Sequence, residues 1–122
     1  MSNVNTKSLE YYAAILFVQA VAEDGKLSQE EAKGVEDALG GFLEGAGSEI
    51  PAIDFLNHIA DEMTENTESY VESLKEAIIF FGEQNDEVRA GILDLMKDLA
   101  GTDGVSFIES KFFDKLKSAW NL

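Results

Sequence analysis

Cysteine is absent from this chain of 122 residues, and proline, histidine and tryptophan occur once each. Without cysteine there is no disulfide framework, no thiolate zinc site and no thiol nucleophile. One histidine cannot build a histidine-rich metal centre. Basic residues are also scarce: 9 Lys plus Arg stand against 24 Asp plus Glu, a formal charge of -15. That balance disfavours nucleic acid, whose phosphates need clustered Lys and Arg, and it disfavours anionic membrane surfaces. It suits basic partners and hard cations. Long apolar runs are missing too. The most apolar stretch, Tyr11 to Ala22, is interrupted by Gln19 and is too short to span a bilayer. The opening Met-Ser-Asn-Val-Asn-Thr-Lys lacks a basic region followed by an apolar one, so no signal peptide is expected and the expected address is cytoplasmic.

What is present is an apolar fraction of 45%, enough for a packed core. Its periodicity is helical almost throughout, with apolar residues recurring at three and four. A first helix is expected from about Ser8 to Ala22. It is apolar nearly all round, which marks a central, buried element. A second begins at Ser28, where Ser28 and Glu31 read as a capping box. Its expected inward stripe is Ala32, Val35, Leu39 and Phe42, weakened and then ended by Gly40, Gly41, Gly45 and Gly47. A third begins near Pro51, at a first helical position, with Ile53, Leu56, Ala60 and Met63 inward. After the polar Thr64 to Thr67 comes a fourth, with Val71, Leu74, Ile78 and Phe81. The fifth carries Val88, Ile92, Leu95 and Leu99. The sixth begins at a second capping box, Ser106 and Glu109, and carries Ile108, Phe112, Leu116 and Trp120. The expectation is one all-α domain over residues 1–122, a single compact bundle of about six helices with short, antiparallel connections.

Two segments echo each other. Ala22-Glu23-Asp24-Gly25-Lys26-Leu27-Ser28 and Ala100-Gly101-Thr102-Asp103-Gly104-Val105-Ser106 both follow an apolar helix ending in Ala. Both place Asp-Gly in the turn, then an aliphatic residue, a Ser cap and acids in the next first turn. The second copy is one residue shorter between Asp-Gly and Ser. With the aromatic closing stretch Phe112-Phe113-Asp114-Lys115-Leu116, this pattern resembles the TerB-like family, the all-helical domain named for bacterial tellurite resistance. The resemblance in helix order covers nearly the whole chain. It implies a helical bundle with the two acidic turns close together, binding metal cations in stress-response or membrane-linked complexes.

On the functional reading, Asp24 and Asp103 face each other and Glu23, Glu30, Glu31 and Glu109 complete an acidic pocket. Oxygen ligands alone suit Ca²⁺ or Mg²⁺, and a bound cation would relieve the repulsion among clustered carboxylates. On the structural reading, Asp-Gly is a favoured turn pair, and carboxylates at a helix start complement its dipole by about 0.3–1 kcal/mol each. Neither turn has the acid spacing of an EF-hand.

His58 reads as a partly buried or surface histidine, because no nucleophile motif accompanies it. Asp54, Asp61 and Glu62 around it read as a solvated face. Glu65, Glu68, Glu72 and Glu76 form an acidic ridge, which is either solubilising or a docking surface for basic partners. Phe80, Phe107 and Phe113 fall off the chosen stripes and would cover a second face or an oligomer contact. No phosphate loop, dinucleotide fingerprint or nucleophile elbow occurs, so nothing points to an enzyme. The chain therefore reads as a cation-binding module, or else as a metal-free domain for a protein partner or a homo-oligomer.

Overall fold

In the computed structural model, residues 8–21, 29–47, 49–99 and 111–120 are described, and they form six α-helices and no strand. The first, α1 (Leu9–Val21), is the axis of the bundle. Every residue from Tyr11 to Val18 is buried, as the sequence requires of a helix with no polar face. Ser8 caps it, its Oγ accepting the Tyr11 N–H at 3.2 Å. Around α1 pack α2 (Gln29–Ala46), α3 (Ala52–Glu65), α4 (Thr67–Gly82) and α5 (Asp86–Leu99). The last helix, α6 (Lys111–Trp120), packs against α4. None of the helices in the described residues is long and apolar enough to cross a membrane.

Several expected boundaries and stripes shift. In α2 the glycines do not end the helix early. It runs through Gly40, Gly41 and Gly45 to Ala46, because Val35, Leu39 and Leu43 are buried against the core and tertiary packing outweighs propensity. Gly47 ends it at φ 74°, a left-handed conformation that only glycine adopts without strain. Pro51 stands just before α3 rather than inside it, with an extended ψ of 145°.

The polar stretch between α3 and α4 shrinks to one residue. Asn66 closes α3 by donating its N–H to the Glu62 carbonyl at 2.9 Å. It opens α4 by accepting the Ser69 N–H on its side chain at 3.3 Å. A joint this tight fixes how α3 and α4 lie against each other, and the candidate site forms between them.

The stripes shift only in part. In α3 the buried residues are Ala52, Phe55, Leu56 and Ile59, whereas Ile53 is 41% exposed. In α4 they are Tyr70, Ala77 and Phe81, whereas Val71 is 40% exposed. In α5 they are Ile92 and Met96, with Val88 on the surface. Each stripe is kept in part: Leu56, Phe81 and Ile92 are buried as expected, and Met63, Leu74, Ile78, Leu95 and Leu99 pack partly buried against the core. In α6 the expected Phe112, Leu116 and Trp120 are all buried; Ile108 lies outside the described residues.

The off-stripe Phe80 is half-buried against α1, its ring centroid 5.1 Å from that of Tyr12. Half-buried Phe113 packs against the core, with the Lys117 ammonium over its ring; Phe107 lies outside the described residues. Trp120 ties α6 down by donating its indole N–H to the Ile78 carbonyl at 2.8 Å. Gly82 gives the ring room: a Cβ there would stand a tight 3.2 Å from Trp120 Cδ1.

Candidate functional site

The polar chemistry of the described residues converges on the side of the bundle where α3 and α4 meet. Glu62 is its centre. Its side chain is only 12% exposed, which sets it apart from the solvated acids it was grouped with in sequence. Burial of a carboxylate is tolerable only with strong donors, and Glu62 has them from three elements. The Tyr11 hydroxyl of α1 donates to Oε1. His58 Nε2, one turn earlier on α3, lies 2.9 Å from the same oxygen. The Ser69 hydroxyl of α4 donates to Oε2 at 2.8 Å. The sequence signal was available: His58 and Glu62 are four apart on one helix face. What the sequence did not contain was the partner helix that buries that face.

Two further polar tips of the enclosed helix reach the same side. The Tyr12 hydroxyl donates to Glu76 at 3.3 Å, and Gln19 accepts the Tyr70 hydroxyl. Glu76 is therefore half-buried and engaged, unlike the exposed Glu65, Glu68 and Glu72 of the expected ridge. Burial, and then the hydrogen bond to Glu62, push the Tyr11 hydroxyl well above its ordinary pKa of 10. Burial, and then the nearby Glu62 charge, do the same to Tyr70.

Above this network lies an open polar groove of about 530 Å³, lined by His58, Glu62, Asn66, Ser69, Glu72, Ser73 and Glu76. Among the described residues, no Lys or Arg lines it. Three carboxylates and one imidazole give the hollow a negative lining, which favours positive charge. It is not laid out as a nucleophile relay, because the Ser69 hydroxyl donates to Glu62 and not to His58. A second hollow of about 630 Å³ lies between α2 and α3, over Leu56, Ala32 and Ala60. Its rim carries Lys33 beside Glu36 and Asp37, so its charges oppose one another.

Most of the sequence-based metal set is not among the described residues. Glu23, Asp24, Asp103 and Glu109 lie outside the described residues. Glu30 is exposed in the first turn of α2, and the side chain of the adjacent Glu31 lies outside the described residues. Among the described residues, no group of three or more His, Asp or Glu is arranged to hold a metal ion.

No family model, curated protein or solved structure matches this chain.

Proposed function

We propose that the protein is a small, non-catalytic binding module that holds cationic groups of a protein partner in the acidic groove between α3 and α4. The observation that carries this reading is the lining of that groove: Glu62, Glu72 and Glu76 with His58, and no Lys or Arg among the described residues. The net charge of -15 adds a long-range attraction for basic partners. Exposed carboxylate pairs contribute only about 0.2–1 kcal/mol each, so affinity would be modest and sensitive to salt, with screening over about 8 Å at physiological ionic strength.

A titration with a lysine-rich peptide, followed by amide NMR shifts, tests the proposal. Shifts are expected between His58 and Glu76, smaller at high salt and in a Glu72→Gln/Glu76→Gln variant. Gln at position 76 can still accept the Tyr12 hydroxyl, so the fold is retained. A peptide that leaves those amides unmoved at low salt would refute the reading.

A second proposal follows from the TerB-like resemblance: divalent cations held at the two Asp-Gly turns, within stress-response or tellurite-resistance assemblies. What supports it beyond the motif is that α1 and α5, the helices preceding the two turns, pack against each other. Calcium or magnesium titration should then shift the amides of Asp24, Gly25, Asp103 and Gly104. No specific change at millimolar ion would remove it.

A further inference from the structure

The outward side of α4 is not uniformly polar. Ile79 is 63% exposed and Val71 is 40% exposed, eight positions apart and so about 12 Å along the helix. At 3.6 residues per turn, Glu68, Val71, Glu72, Lys75, Ile79 and Glu83 fall within about a third of the circumference. All six are exposed. Val71 also stands in a shallow hollow of about 290 Å³ with Thr67, Glu68 and Glu72. Glu72 belongs to that hollow and to the polar groove alike, so the two surfaces are continuous.

We infer that this face of α4 docks a basic amphipathic helix of a partner protein. The inference rests on the cation-binding reading above and names the shape of the partner. An aliphatic side chain of the partner fills the hollow at Val71. A second one, seven or eight positions along, covers Ile79. Lysines or arginines flanking that stripe meet Glu68, Glu72 and Glu83, and the single Lys75 leaves the face net negative. A second copy of this chain is the wrong occupant: self-docking would set those glutamates against their own copies, between two molecules each of charge -15.

The test uses two synthetic peptides of equal positive charge, each about 15 residues long. One carries leucines in a helical stripe with lysines alongside; the other has those leucines replaced by serine. Both are titrated into the full chain and into its Ile79→Ser variant, which alters a surface position. The amphipathic peptide is expected to bind the wild type more tightly than its serine counterpart. Ile79→Ser is expected to weaken it by roughly five- to twenty-five-fold, the scale of burying most of one isoleucine, and to leave the serine peptide unchanged. Equal affinity of the amphipathic peptide for both proteins would overturn the inference. If in that case the serine peptide still shifts the groove amides between His58 and Glu76, the groove reading survives alone; if neither peptide binds, both fall. Sedimentation showing a dimer of the chain that Ile79→Ser dissociates would overturn the assignment of a foreign, basic partner.

Discussion

Removing the carboxylate at Glu62 should unlock three helices at once. Glu62→Leu is the informative change, since Leu and Glu have similar helix propensity and the effect is confined to the lost acceptor. Tyr11 is wholly buried and would lose its strongest partner. A buried donor left without an acceptor costs about 1–3 kcal/mol. His58, 31% exposed, and the half-buried Ser69 can turn to water, so each adds about 1 kcal/mol or less. The total expected destabilisation is about 2–4 kcal/mol.

Tyr11→Phe deletes the donor instead and should cost about 1 kcal/mol. In the double variant the Tyr11 hydroxyl is no longer there to be orphaned. The two single costs should therefore overshoot the double by about 1–2 kcal/mol. Urea denaturation at neutral pH measures all four proteins, with unchanged m-values as the check that the same surface unfolds. Costs that simply add, within about 0.5 kcal/mol, would refute the claim that this hydrogen bond couples α1 to α3. Ser73 offers a compensating route, because its side chain acts on the Tyr11 hydroxyl to lower its pKa. Coupling that appears only in a Ser73→Ala background would locate the compensation there.

Four further outcomes are expected. Tyr11 and Tyr70 have folded pKa values raised above their ordinary 10, so their contribution is complete below pH 10 and is lost as pH rises from there through the folded values. Thermal melts should fall above that point, and Tyr70→Phe should flatten the fall; a melting temperature flat to pH 11 would contradict this. Gly34→Ala, with no atom within 4 Å of the added Cβ, should stabilise by about 0.5–1 kcal/mol. By contrast, Gly82→Ala presses on Trp120 and should destabilise by about 1 kcal/mol despite its better propensity, with a red shift in tryptophan emission. Phe55→Ala should cost about 3–5 kcal/mol and Ile53→Ala less than about 1 kcal/mol, in chemical denaturation; the reverse order would restore the stripe read from sequence.

Legibility differed from one element to the next. The buried character of α1 was readable, because a helix apolar on every side has only one stable position. The α6 stripe was readable because Phe112, Leu116 and Trp120 are large and four apart. The faces of α3 and α4 were read in part: Leu56 and Phe81 are buried as expected, whereas Ile53 and Val71 face outward. Ile53 competes with Phe55 and Ile59, and Val71 with Tyr70, and periodicity does not say which of two adjacent registers meets α1. The acidic residues were harder still. Glu62 and Glu76 look like their solvated neighbours in sequence, because the tyrosines that engage them lie 51 and 64 residues away.

The amino-acid sequence by itself determined the helical class, the enclosed first helix, the acidic surplus and the exclusion of cysteine chemistry. These follow from composition and from local periodicity, which act within a turn or two of chain. Only the tertiary structure decided which carboxylates are functional candidates. It took Glu62 out of the solvated set by closing α1 and α4 over it, and it left Val71 and Ile79 outside the core. Burial is a property of what packs against a residue, and for these side chains the deciding neighbours come from distant parts of the chain.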